Sequence, residues 1–181
     1  VAVTVTALRA RRETAVGFWT SATLVAATLT TGLMAGLFAA FWYAIMPGLA
    51  RASDLAFVEG MQRINVAILN GWFGLCFAGA LVFSVVAAIL HAGAERRAVL
   101  PWIVAGAVLY LVVLVVTVAA NVPLNDRLDA AGDPDRIGDL HAVRAQFEAA
   151  WVRWNAVRTL ACTVSFGCLT WALVLHGRLA R

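Results

Sequence analysis

Four stretches of the chain carry no charged side chain: 14–50, 64–94, 98–125 and 159–177, of 37, 31, 28 and 19 residues. A helix needs about 20 apolar residues to cross the hydrocarbon of a bilayer, and each run meets or nearly meets that length. The pattern predicts one all-α integral membrane domain over residues 1–181. It is a four-transmembrane-helix bundle with spans at about 17–46, 66–91, 101–122 and 155–176. Pro47 is expected to stop the first helix, since proline disfavours helix in the residue before it. Within that helix Thr28, Gly32, Gly36 and Ala40 form a small-residue ridge at a spacing of four, the kind that lets helices approach closely in lipid. Ser53 can cap a second helix that starts at Asp54 and runs unbroken to His91. Its first turns carry Asp54, Glu59 and Arg63, so they lie outside the hydrocarbon. "AGAERRAVLP" reads as a short turn, and "NVPLNDRLDAAGDPDRIGD" as the one extended loop. A fourth helix begins near Asp139 and continues through Leu175. Helices two and four therefore extend beyond the membrane, on the side read here as the outer one.

Composition adds weight to this reading. Hydrophobic residues make up 62% of the 181, and charged residues 13%, about half the roughly 25% of soluble proteins. The net charge of +4 comes from membrane flanks, with no basic stripe of the kind that binds nucleic acid. All 14 basic residues are arginine, so Schiff-base chemistry through lysine is excluded. Cys76, Cys162 and Cys168 all fall inside spans and are expected as free, buried thiols. The first apolar run is too long for a signal peptide, so no cleavage is expected. On the side of the head, the 94–97 turn and the tail, seven arginines face two acids; on the other side seven face eight. The inner arginines crowd into very short segments, which favours both termini in the cytoplasm, in a bacterial cytoplasmic membrane. Trp19, Trp102 and Trp171 are expected in an inner aromatic belt, and Trp42, Trp72, Trp151 and Trp154 in an outer one.

Polar side chains at membrane depth gather at one end. Gln62, Arg63, Asn65 and Asn70 lie on the outer part of helix two. Asn121 and Asn125 flank Pro123 at the outer end of helix three, and Trp151, Trp154, Asn155 and Arg158 stand at the outer end of helix four. His141, Arg144, Glu148, Trp151, Asn155, Arg158 and Cys162 follow steps of three and four and so share one helix face. An arginine turned to lipid costs roughly 2.5–3.5 kcal/mol on the mildest scale. The group is therefore expected to face protein or a shared polar cavity. Each member also has a plainer reading: interhelical glue for the amides, snorkelling for Arg158, a belt for Trp154.

Other chemistry is sparse. His91 and His176 sit near inner helix ends, where they are candidate haem or metal ligands, though histidines there are more often interfacial. Asp129, Asp133, Asp135 and Asp139 cluster without EF-hand spacing and read as a solvated loop. No HExxH, CxxC, Walker or GxGxxG motif occurs.

Three blocks carry a family resemblance: "TGLMAGLFAAFWYAIMPGLARASDLAFVEGMQRINVAILN", "NVPLNDRL" and "WVRWNAVRTL". In this order, between about Thr31 and Leu175, they resemble the marks of the anthrone oxygenase-like family of small four-helix membrane proteins. The last two match its N-x-P-x-N and W-x-x-W-N-x-x-R patterns. The resemblance implies a membrane oxygenase that oxidises an anthrone-like or other lipophilic aromatic with O2, without flavin, haem or metal. By motif position it implies Asn121, Asn125, Asn155 and Arg158 as catalytic residues, with Trp151 and Trp154 binding substrate. Gln62 and Asn65 join the substrate-binding set by their depth alone. No base is evident; Glu148 and His141 share the right helix face. The expected partners are the lipid bilayer, a lipophilic aromatic and O2, and a homo-oligomer is left open. The competing reading is a non-catalytic membrane protein that binds a quinone or lipid, or assembles with a partner complex.

Overall fold

A computed structural model describes residues 2–93 and 97–179, with side chains from Gly17 onward. Arg9, Arg11, Arg12, Glu13, Glu95, Arg96 and Arg181, on which much of the charge argument rests, lie outside the described side chains. The described chain is helical and holds no strand. In order it contains α1 (Ala2–Ala40), a π turn (Phe41–Ile45), α2 (Met46–Leu49), α3 (Asp54–Ala67), α4 (Gly71–Leu90) and α5 (Leu100–Val116). A second π turn (Thr117–Asn121), α6 (Val122–Ala130), a 3-10 turn (Pro134–Arg136) and α7 (Leu140–Leu179) complete it. Four helical stretches are long and apolar enough to cross a membrane: Gly17–Leu49, Gly71–Leu90, Leu100–Ala130 and Leu140–Leu179. The protein is thus an all-α membrane bundle of four spans. α7 has 40 residues, about 60 Å at 1.5 Å each, twice the roughly 30 Å of hydrocarbon.

Three sequence expectations about helix ends are corrected. Pro47 does not stop the first helix, and Pro123 does not open a loop. A proline ring strikes the carbonyl four residues back, here that of Tyr43 or Ala119, each the middle residue of a π turn. The wide turn moves that carbonyl aside: Met46 N–H donates to Phe41 O, and Val122 N–H to Thr117 O, one residue further back than in an α-helix. Both helices then continue past their prolines. The predicted loop therefore shrinks to 131–139. The second helix, expected to run unbroken, is divided at 68–70. Asn70 makes the division: its Oδ1 accepts from Phe73 N–H at 3.0 Å, and its Nδ2 donates to Ala67 O at 3.0 Å. One side chain thus caps α4 and closes α3.

Three layers of side chains fill the bundle, named inner for the end that holds His91 and His176 and outer for the end that holds α3 and α6. The inner layer joins Leu24, Ala27, Ala87, Ile103, Leu169 and Ala172. The middle one joins Met34, Phe38, Ala80, Tyr110, Val113 and Cys162. The outer layer joins Met46, Leu128, Phe147 and Trp151 to Phe57, Val58 and Met61 of α3, which lies outside the spans. α5 and α7 meet most closely at Gly106, where a Cβ would lie 2.9 Å from Leu169 Cγ and 3.3 Å from Ser165 O. Ser165 Oγ donates to Gly106 O at 2.7 Å across the same contact. The ridge on α1 is only partly an interface: Phe166 packs on Gly32, but Gly36 is exposed. Arg144 ties the outer segments together. It donates to Ala50 O, Ala52 O, Asp54 and Glu148 at 2.7–3.1 Å, and its guanidinium lies 4.5 Å over the Phe57 ring.

At the inner end His91 and His176 contact each other, Nε2 to Nδ1, at 3.1 Å. His91 Nδ1 lies 2.7 Å from Ala87 O, and His176 Nε2 lies 2.9 Å from Ser21 Oγ. All four ring nitrogens therefore have protein partners, which a haem or metal would have to displace. Among the described residues no cluster of three metal-ligating side chains occurs. Cys76, Cys162 and Cys168 are free thiols.

Candidate active site

A cavity of about 450 Å³ opens at the outer end of the bundle, within the 300–1,000 Å³ usual for small-molecule sites. Its walls are mostly apolar and rich in rings: Phe38 and Phe41 from α1 and its π turn, Phe73 and Phe77 from α4, and Trp151 from α7. Arg158 also lines it. The predicted face of α7 does turn inward here, because steps of three and four return to one side of a helix. Trp151, Asn155, Arg158 and Cys162 are all buried.

Arg158 is 6% exposed, which rules out snorkelling. Among the described residues no carboxylate pairs with it. Its charge is held by softer partners. The guanidinium lies 4.6 Å over the Phe38 ring and 5.4 Å from the Trp151 ring, close enough for cation–π attraction. One amino group donates to Asn155 Oδ1 at 3.0 Å and the other to Thr117 Oγ1 at 3.4 Å. Its Nε is buried with no protein partner. A buried donor left open costs about 1–3 kcal/mol, more when charged, so this site favours an acceptor from outside the chain.

Asn155 sets the guanidinium's position. Its Nδ2 donates to Phe38 O at 3.1 Å, and its Oδ1 accepts from Arg158. A carbonyl can only accept and a guanidinium can only donate, so the amide has one orientation. Trp151 is fixed in turn: its Nε1 donates to Asn125 Oδ1 at 2.8 Å, and Phe147 stacks on it at 6.1 Å. Asn121 is buried; its Nδ2 reaches Trp151 O at 3.4 Å, and its Oδ1 has no partner. Asn65 lines the cavity from α3, and its buried Nδ2 has no partner among the described residues.

Six of the eight predicted site residues thus come together, four as cavity lining and two, Asn121 and Asn155, packed behind it. Gln62 does not line the cavity. Its Nε2 donates to Leu128 O and Gly132 O at 2.8 and 3.0 Å, fastening α3 to the end of α6. Trp154 is 37% exposed on the outside, as a belt residue would be, whereas Trp151 has left the belt for the interior. The two candidate bases are also elsewhere: Glu148 pairs with Arg144 at 2.7 Å, and His141 with Asp54 at 3.2 Å. The carboxylates that line the cavity are Asp126 and Asp129, at its rim. Neither belonged to the sequence-derived site. The signal was the run Asn121, Asn125, Asp129, one helix face in steps of four, hidden by reading Pro123 as a helix end. Asp133 and Asp139 serve as caps, accepting from Asp135 N–H and Ala142 N–H.

These features define a membrane bundle with a ring-lined cavity and an uncompensated guanidinium beside it. The chain belongs to the anthrone oxygenase family, whose model matches residues 71–168, more than half of its length. That match takes in "NVPLNDRL" and "WVRWNAVRTL" and leaves the first of the three sequence blocks outside. No curated protein matches the chain. No solved structure matches it either.

Proposed function

We propose that the protein is a membrane oxygenase that converts the methylene of an anthrone-like phenolic aromatic to a ketone with O2. One observation carries the reading: Arg158, buried and without a carboxylate partner among the described residues, beside a cavity walled by aromatic rings. In the overall reaction a CH2 and O2 give C=O and water. The substrate loses four electrons and O2 gains four, so no outside reductant is needed. One oxygen atom enters the ketone and the other leaves as water.

Loss of a C–H proton makes the substrate an electron-rich enolate. Its negative oxygen is the natural partner of Arg158 Nε–H, and a preorganised donor in an apolar cavity is most effective there. We assign the proton to Asp126 or Asp129, the carboxylates that line the cavity. The enolate then transfers an electron to O2, and the two radicals join at carbon as a peroxide. The first proton returns to the peroxide, and loss of the second C–H proton with O–O cleavage then expels hydroxide, which takes that proton as water and leaves the ketone. Asn155 holds the guanidinium still throughout, and Asn125 holds Trp151.

The test is oxygen uptake by the protein in lipid vesicles supplied with a hydroxylated anthrone, against protein-free vesicles. Uptake of one O2 per quinone formed, with label from 18O2 in the new carbonyl, is expected. Saturable binding with no uptake above the protein-free rate would overturn the oxygenase and leave a ligand-binding membrane protein.

A further inference from the structure

We propose that the cavity takes its ligand sideways from the bilayer, through an opening framed by Val66 and Leu69 on one side and Val118 and Val122 on the other. The ligand is a lipid-dissolved ring compound whose acidic oxygen docks on Arg158. The inference rests on the cavity reading above for the kind of ligand, and adds the path and the orientation.

The four framing residues share an unusual pair of properties. All line the cavity, yet they are 68%, 77%, 66% and 40% exposed. Val118 and Val122 lie on the Leu100–Ala130 span, and Val66 and Leu69 lie five and two residues before the Gly71–Leu90 span. Exposed apolar side chains at that end of the spans suit contact with acyl chains, which would make the cavity continuous with lipid between them. Both sides of the gap lie beside irregular backbone. Val66 is in the last turn of α3, and Leu69 is inside the Asn70-capped division of α3 from α4. Val118 lies in the second π turn, and Val122 starts α6 just after it. The other approach is less suitable for an acidic compound. Asp126 and Asp129 line the cavity and are exposed, and carboxylates repel an anion that enters past them. A neutral phenol crosses the apolar side without that repulsion. Inside, the open donors are Arg158 Nε and Asn65 Nδ2, on different walls. A ring body carrying oxygens satisfies both and fills the apolar space between.

The experiment uses the full chain in phosphatidylcholine vesicles and 1,8-dihydroxyanthraquinone as probe. The probe is already oxidised, so it binds without turning over. Binding is followed by quenching of tryptophan fluorescence in stopped flow. Leu69→Phe and Val118→Phe narrow the opening, Val118→Ala widens it, and Val82→Phe and Leu111→Phe add the same bulk to exposed positions away from the cavity. The narrowed variants are expected to slow association about tenfold and dissociation with it, as for a barrier on the entry path. Val118→Ala should associate at least as fast as the parent, and the two remote variants at the parent rate. Association that is equally fast in all variants, or an absence of saturable quenching, overturns the proposal. A protein that fails the oxygen-uptake test but still shows gated binding loses the reaction and keeps the doorway.

Discussion

At the residue scale the site turns on one cation and the amide that steers it. In the proposed reaction Arg158→Ala removes the donor to the enolate and should lower kcat about 10²–10³-fold, as for an oxyanion donor. Arg158→Lys keeps the charge but not the planar fork, and should recover only part of that loss. Asn155→Ala acts at one remove: losing a hydrogen bond to a charged group is worth roughly 1.5 kcal/mol, or about tenfold in rate. Oxygen uptake on the three variants checks the order. Much of this group was legible, because Trp151, Asn155, Arg158 and Cys162 repeat at helical steps and a charge at that depth demands shelter. Trp154 was less so: a step of three from Trp151 leaves a residue about 60° round the helix, enough to turn it outward. Gln62 was chosen by depth, which says nothing about direction.

At the element scale the irregular backbone matters more than the straight helices. The four spans were plain in the charge-free runs, since hydropathy needs no tertiary information. The π turns were not, because a proline's clash can be met either by ending a helix or by widening it, and packing decides. Asn70 likewise resembled a site amide until its two bonds showed it to be a cap on both sides. Asn70→Ala should lower stability by about 1 kcal/mol, as cap removal does, with a matching fall in the detergent unfolding midpoint. Gly106→Ala should cost roughly 1–3 kcal/mol, since the added methyl overfills the contact of α5 with α7. The same unfolding midpoint reads it, with Gly36→Ala, on an exposed helical position, as the control that should not fall below the parent.

At the scale of the whole molecule, the site draws on more of the chain than the family match spans. α4 to α7 supply Phe73, Phe77, Asn125, Trp151 and Arg158 within residues 71–168, but Phe38, Phe41 and Asn65 come from outside it. Arg144 holds the outer segments over that site. Arg144→Ala should loosen the turn at 50–54, by roughly 1.5–3 kcal/mol for hydrogen bonds to charged partners, seen as faster proteolysis there. The placement of the termini in the cytoplasm is tested at the same turn. With the native cysteines replaced, Arg51→Cys should react with an impermeant maleimide in intact cells. Each π turn, finally, holds one residue more than a regular spiral of the same rise. Deleting a single residue from 117–121 would restore the regular spiral and bring the Pro123 ring back against the carbonyl four residues before it. The helix would then end or kink at that point, and Asn125, which holds the Trp151 indole, lies just beyond it. The chamber's shape is thus encoded in residue count as firmly as in residue type.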